Sequence, residues 1–372
     1  MKKVIEEKKI VPMVDLKRQF QEIKDEVLHV ITEILERGQY ILGPKVSEFE
    51  KKIADYLGVS ETIGVASCTD ALHLSLNSLG IGEGDEVITS PFTFFATVEA
   101  ILYRGAKPVF VDIEPDTFNL DIDQIESKIT DKTKAILPVH IFGHMVNMEE
   151  ISKTAGRHGL KVIEDCAQSF GAELNGRKAG SFGDVGCFSF YPSKNLGGYG
   201  DGGIIVLNNS KIAELIRSLR NHGSRQSYIH ERVGFNSRLD EIQAGILLVK
   251  LKYIEEYNKQ RRRKAALYTE LLSDKVKCPI EKKGVYHVYH QYTIRDPKRN
   301  EIQKKLWEKG ISSVIYYPLP LHLQDALRFL GYKKGDLPVA EKASQEVLSL
   351  PIYPELKESV IEEIAEIIRD VV

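Results

Sequence analysis

Between residues 60 and 207, short runs of β-branched and apolar residues alternate with amphipathic stretches of roughly ten to fifteen residues. This alternation is the mark of βαβ units laid over one mainly parallel sheet, and it leaves little freedom for any other fold class. Strands are expected at 62–66, 86–89, 107–111, 133–138, 161–164, 185–190 and 203–207, seven in one large sheet. Ahead of them, Phe20, Ile23, Val27, Val30, Ile31 and Ile34 recur at helical spacing over 15–35, and Gly38 supplies a stop. A second helix is expected from Val46 to Gly58. After Asp240 the pattern changes to long helices, 242–256 running into 259–272. A domain boundary is therefore expected near Tyr257, dividing a large domain, 1–256, from a smaller α+β domain, 257–372. Strands near 288–294 and 313–317 and helices near 300–309 and 339–348 are expected in the second.

A chain of 372 residues suits two such domains. Lys plus Arg total 51 against 53 Asp plus Glu, so no global field gathers nucleic acid or an anionic membrane, and a small-molecule substrate fits better. Cys68, Cys166, Cys187 and Cys278 are scattered, without zinc spacing. That suits a reducing compartment. The charged start, 1–13, does not read as a signal peptide, and no apolar run reaches bilayer length, so a cytoplasmic protein is expected.

The segment most able to carry chemistry is 185–203, where an apolar strand ends, Lys194 is presented, and glycines follow at 197, 198, 200, 202 and 203. A lysine near a strand end is partly desolvated, which lowers its pKa and leaves neutral amine to attack an aldehyde. The bare backbone of the glycines lets a bulky ring lie close. A surface lysine beside an ordinary turn is the plain alternative. A dinucleotide fingerprint fits less well, because this loop runs into a strand rather than a helix. Asp165 ends the strand at 161, where open α/β sheets place ligands. A carboxylate there can keep a proton on a heterocyclic nitrogen, the condition under which pyridoxal phosphate acts as an electron sink; a helix cap is the alternative. Ser67 and Thr69 begin a helix after the first strand and could cup a phosphate, or merely cap the helix, with Asp70 turned away. The aromatics of 90–97 could be core, or could lay a ring on a cofactor.

Taken in this order, the segments resemble the DegT/DnrJ/EryC1/StrS sugar aminotransferases, within the aspartate aminotransferase-like fold type I. The resemblance spans nearly the whole chain, from 15–19 and 38–44 to 350–354. It implies pyridoxal 5'-phosphate as cofactor, with Lys194 as the Schiff-base lysine, Asp165 at the ring nitrogen and Gln168 at the phenolic side. Phe94 would lie on the ring face, with Thr69 and Ser189 at the phosphate. Cys68 stands where the family usually has glycine, and cysteine would resist a positive backbone angle there. The family completes its phosphate site from a neighbouring subunit through the segment matching 234–243, so Asn236 and Arg238 should act in trans in a homodimer. Tyr317 and His322 fall in the loop that lies near the sugar.

The resemblance further implies L-glutamate as amino donor and carbon 3 of a nucleotide-linked keto sugar as acceptor. Segment 225–238 is similar to enzymes acting on UDP-linked 3-keto-hexuronic acids, in which Arg225, His230 and Arg232 could meet a carboxylate or diphosphate. A dTDP-3-keto-6-deoxyhexose is the alternative acceptor. Dehydratase relatives usually carry histidine where Lys194 stands, and a complete Lys194, Asp165 and Gln168 set argues against a ligand-sensing relative without catalysis. His140 and His144 do not suit a helical metal pair, and no metal is expected. The basic run 261–264 reads as a solvated helix face.

Overall fold

The computed structural model describes residues 10–226 and 228–372. The seven expected strands form one sheet: β1 (Glu61–Val65), β2 (Glu86–Thr89), β3 (Lys107–Phe110), β4 (Thr133–Leu137), β5 (Lys161–Asp165), β6 (Val185–Ser189) and β7 (Gly203–Leu207). Their order is β1-β7-β6-β5-β4-β2-β3. Five neighbouring strands, β3 to β6 across the sheet, run parallel, and β7 is antiparallel to both β6 and β1. The reversal follows from the connection: the loop from β6 to β7 contains no helix to carry the chain back across the sheet, so the next strand must return antiparallel.

Both faces of the sheet are covered, so its strands are apolar on both sides. In β7, Ile204 and Val206 point to the face covered by α2 (Pro44–Leu57), α5 (Met148–His158) and α7 (Glu241–Leu251). Ile205 and Leu207 point to the opposite face, under α3 (Cys68–Ser78), α4 (Ala96–Tyr103) and α6 (Ser210–Leu219). Each fully buried isoleucine or leucine of this kind contributes about 1.5–3 kcal/mol. The N-terminal helix α1 (Leu16–Arg37) is capped by Asp15, which accepts from the Arg18 amide at 3.0 Å, and ends at Gly38 with φ of 70°. Its stripe of Ile23, Val27, Val30 and Ile34 packs on Ile246 and Val249 of α7.

β5 carries two buried acids in succession, and they serve different purposes. Glu164, 0% exposed, accepts from the amides of Gly180, Phe182 and Gly183 at 2.9, 2.7 and 2.7 Å and meets His140 Nε2 at 3.0 Å. It fastens the loop before β6. Asp165, on the other side of the strand, is left facing the sheet's carboxyl edge.

Beyond α7 the chain builds α8 (Ile254–Leu272), α9 (Arg299–Glu308), α10 (Pro338–Glu346), α11 (Glu358–Val371) and an antiparallel pair, β8 (Tyr292–Arg295) with β9 (Val347–Leu350). Tyr257 falls in the first turn of α8: Ile254 joins the sheet-side cluster, whereas Ala265, Tyr268 and Leu272 join a separate C-terminal cluster. Residues 313–317 form no strand, only a bridge between Val314 and Ser349. The helix expected over 339–348 ends at Glu346, and its apolar tail is β9. The basic run is not a solvated face, because Arg261 and Lys264 are buried and only Arg263 is exposed. Arg261 Nη1 donates to the carbonyls of Ile352 and Tyr289 at 2.7 and 3.3 Å, tying α8 to the chain beyond β9. Among the described residues, no helix is long and apolar enough to cross a membrane.

Candidate active site

β1, β2, β5 and β6 all end at the same edge of the sheet, and the turns that leave them converge there. Asp165 ends β5 in register with Cys187 of β6, and Lys194 sits in the loop that leaves β6. Asp165 is 4% exposed and, among the described residues, has no ion pair within 4 Å. Thr97 Oγ1 donates to its Oδ2 at 2.8 Å and the Ala167 amide to its Oδ1 at 3.1 Å. Burial raises its pKa, against these two donors and the nearby Lys194 and His140. Lys194 keeps part of its surface, yet the protein crowds its amine enough that burial lowers its pKa, against the opposing influence of Cys68 and Asp165. An acid and an amine, each biased towards its neutral form, therefore share one cleft.

Gln168 is held in two directions. Its Oε1 accepts from the Phe142 amide at 2.7 Å, and its Nε2 donates to the Tyr317 hydroxyl at 3.1 Å. Burial pushes the Tyr317 phenol up, so it stays protonated. The aromatics of 90–97 divide: Phe92 is core, against Phe118, Phe142 and Tyr317, whereas Phe94 is 62% exposed.

The turn after β1 starts α3. Ser67 caps it, accepting from the Asp70 amide at 3.1 Å, so the plain reading of Ser67 as a helix cap holds. Cys68 opens the helix without a positive φ, which removes the objection to cysteine at this position. Asp70 is turned aside: its Oδ2 accepts from Ser237 Oγ at 2.7 Å, and Ser237 in turn accepts from the Ala66 amide at 3.2 Å. Gly203, at the start of β7, presses against this turn; a Cβ there would lie 2.5 Å from the Ser67 carbonyl oxygen. Thr69 and Ser189 both keep part of their surface open.

Residues flanking Ser237 face elsewhere. Asn236 is exposed, and Arg238 Nη1 donates to Asn221 Oδ1 at 3.2 Å. Arg225, His230 and Arg232 lie on or beside a hairpin whose strands are Ser224–Gln226 and Ile229–His230. Both arginines lean on Glu231, at 3.6 and 3.5 Å, and among the described residues no contact joins this hairpin to Lys194 or Asp165. Its Tyr228 and Val233 are 96% and 90% exposed. His322 is 1% exposed; its Nε2 meets Glu341 Oε1 at 3.1 Å, and its Nδ1 has no partner among the described residues.

Thr97, which donates to Asp165, and the Phe142 amide, which donates to Gln168, are not singled out by the sequence. His140, Glu164 and Cys166 cluster within 4.8 Å of one another. They do not make a convincing metal centre, because both Glu164 oxygens accept from backbone amides and His140 Nδ1 accepts from the Val146 amide at 3.2 Å.

Pyridoxal phosphate fits these residues. A buried carboxylate without a cation is costly, and a protonated ring nitrogen is the partner it lacks. The amine of Lys194 is suited to an aldehyde, the exposed Phe94 ring offers a stacking face, and the start of α3 offers free amides to a phosphate.

Comparison with known proteins agrees with that fit. The model of the DegT/DnrJ/EryC1/StrS aminotransferase family matches residues 21–369. The chain is 52% identical to a "Pleiotropic regulatory protein" of Geobacillus stearothermophilus, over 96% of this chain and 99% of that one. It is 48% identical to a UDP-N-acetyl-3-dehydro-alpha-D-glucosamine 3-aminotransferase of Acidithiobacillus ferrooxidans, over 96% and 97%. Among solved structures, DesV of Streptomyces venezuelae in complex with a ketimine intermediate superposes with a TM-score of 0.95 at 41% identity, over 97% and 98% of the two chains. The chain belongs to the DegT/DnrJ/EryC1/StrS aminotransferase family and is a pyridoxal phosphate-dependent transaminase of fold type I.

Proposed function

We propose that this protein moves the amino group of L-glutamate to carbon 3 of a keto sugar carried on UDP, with Lys194 and Asp165 as its catalytic residues. The observation that carries the residue assignment is the pair itself: a crowded lysine amine and an unpaired buried carboxylate at adjoining strand ends of one cleft. The relative acting on a UDP-linked 3-dehydro sugar supports the acceptor. A sensing role, which the name of the Geobacillus relative brings to mind, would give no reason to keep both groups.

Bound here, the cofactor supplies an aldehyde carbon for the amine and a ring that takes up the electron pair left at the donor's alpha carbon. Asp165 holds the proton on the ring nitrogen; a cation opposite would return its own pKa towards the ordinary carboxylate range. Lys194 Nζ, as free base, would take the proton from the alpha carbon of glutamate and, in the reverse half, would return one to carbon 3 of the sugar. Gln168, fixed by Phe142 and Tyr317, orients the phenolic side. Phe94 would cover one ring face, and Thr69, Ser189 and the first amides of α3, Cys68 among them, would hold the phosphate. Tyr317 faces the sugar. Glutamate and nucleotide sugars are cytoplasmic metabolites, and there we place the enzyme.

The test is direct. Purified holoenzyme given glutamate alone should lose its visible absorption band, and addition of a UDP-linked 3-keto sugar should restore it and release the amino sugar. Acceptors with and without a carboxylate at carbon 6 separate a uronic from a neutral sugar, and a dTDP-linked 3-keto sugar tests the nucleotide. A band that glutamate leaves untouched would overturn the reading.

We also propose a homodimer whose sites are shared, with Asn236 and Arg238 of one copy completing the phosphate site of the other. Its support is the exposure of Asn236 beside an inward Ser237, and the exposed apolar hairpin at Tyr228 that a second copy would cover. Arg225, His230 and Arg232 on that hairpin are then the groups available to the substrate's anionic parts. Lys194→Ala and Asn236→Ala proteins, each inactive, should regain about a quarter of wild-type activity when mixed equally and exchanged, since half the dimers are mixed and each has one intact site. No recovery despite confirmed exchange would refute sharing.

A further inference from the structure

Asn195, the residue after Lys194, is 5% exposed, and every polar atom of its side chain has a partner. Its Nδ2 donates to Asn258 Oδ1 at 2.8 Å and to the Val288 carbonyl at 3.1 Å. Those two oxygens fix which end of the amide is nitrogen, so Oδ1 is the atom that meets His290 Nδ1, at 3.2 Å. His290 therefore carries a proton on Nδ1, while its Nε2 lies 3.4 Å from Gln291 Nε2, a donor that a neutral ring accepts from. Its burial, with the positive charges of Lys194 and Arg261 nearby, holds the imidazole well below its usual range and is consistent with this.

The partners of Asn195 come from distant parts of the chain. Asn258, 0% exposed on α8, passes the contact on by donating to the Phe170 carbonyl at 3.1 Å, just beyond β5. Val288 and His290 lie in the segment leading into β8. That segment also grips the turn that holds Gln168: the Val288 amide donates to the Gly143 carbonyl at 3.1 Å and the Gln291 amide to the Phe142 carbonyl at 3.3 Å. The approach is close enough that a Cβ at Gly143 would lie 2.9 Å from Val288 Cγ2 and 3.0 Å from the His290 amide nitrogen. One short segment outside the sheet thus fixes both the neighbour of Lys194 and, through Phe142, Gln168. Two amides and a neutral imidazole are an expensive way to fill a core that leucines could fill.

We propose that Asn195 is the positioning residue of Lys194, and that His290 holds it in place, so that the segment 288–291 sets where the Lys194 amine stands in the cleft. The assignment rests on the reading of Lys194 as the catalytic amine. Displacement of a reacting group by about 1 Å can cost about 100-fold in rate, whereas donor binding depends on other groups.

The test uses holoenzyme carrying His290→Leu, which cannot donate to Asn195, and His290→Gln, whose amide can. For His290→Leu we expect kcat to fall about 10- to 100-fold with KM for glutamate within about 3-fold. The pH midpoint of the visible absorption band, which reports the lysine-bound cofactor, should shift by at least about half a unit, since Cys68 and Asp165 would meet that amine at changed distances and the nearby imidazole of His290 would be gone. His290→Gln should recover most of both changes. If His290→Leu does not fold, the same readouts are taken on Asn195→Ala, with the same expectation. Folded variants with wild-type kcat and midpoint, or a glutamine no better than leucine, would overturn the proposal. A wild-type protein without a lysine-bound band would instead sink the assignment of Lys194, a separate outcome visible before any variant is made.

Discussion

Lys194→Ala is expected to abolish measurable amino transfer while leaving the protein folded. General acid-base transfer by a positioned group is worth about 10²–10⁴-fold, and the variant loses the covalent role as well. The change should cost little stability, because Lys194 has no ion pair within 4 Å among the described residues and burial already disfavours its charge. Single-turnover assays with glutamate, alongside thermal melts with and without cofactor, separate these effects. A folded Lys194→Ala protein that keeps more than about a tenth of wild-type turnover would contradict the assignment.

Asp165→Asn is expected to have opposite effects on the two forms of the protein. In the cofactor-free form the carboxyl has a raised pKa, caused first by burial. The folded state then binds more protons than the unfolded one as pH rises above the unfolded value, so the aspartate's contribution to stability falls until the folded pKa is passed. The neutral amide escapes this loss. Cofactor-free Asp165→Asn should therefore melt higher than wild type at neutral pH, with the difference vanishing on acidification below the unfolded carboxyl pKa. In the loaded enzyme the sign reverses, because a buried cation at the ring nitrogen would lose its partner, a loss of about 3–5 kcal/mol, equivalent to about 10²–10⁴-fold in turnover. Melting curves of both forms against pH check the first half, and kcat the second. An asparagine variant that melts lower than wild type without cofactor at neutral pH, or that turns over normally with it, would remove Asp165 from its role.

Much of this was legible in the sequence because burial on both faces writes itself into composition. β1 to β7 read as apolar runs, and the residues that end them, Asp165 among them, fall at the carboxyl edge by topology alone. Lys194 stood out for the glycines after it. The failures have local causes. Val347–Leu350 continues the apolar pattern of α10, and a short apolar run does not declare whether it is helix or strand. Residues 313–317 look like a strand but find only one bridging partner.

The charge of the run 261–264 suggests an exposed face, but its helical period decides otherwise. On α8, Asn258, Arg261, Lys264, Ala265 and Tyr268 share one helical face, and that face is buried, so Arg261 became an interior donor to backbone carbonyls. The partner of His322 is hidden for a different reason: Glu341 lies 19 positions away in sequence, and nothing near His322 signals it. The ring of contacts behind Asn195 was invisible for the same reason, since its partners come from 63 to 95 positions away. Side-chain networks that join distant segments leave no periodic trace.

The proposed activity requires one covalent link, and chemical reduction reads it directly. Holoenzyme treated with borohydride, digested and mapped by mass spectrometry should carry the reduced pyridoxyl group on the peptide containing Lys194, with the mark lost after prior exposure to glutamate. A pyridoxyl group on any other lysine, such as the buried Lys250, or none in a folded protein saturated with the cofactor, would contradict it.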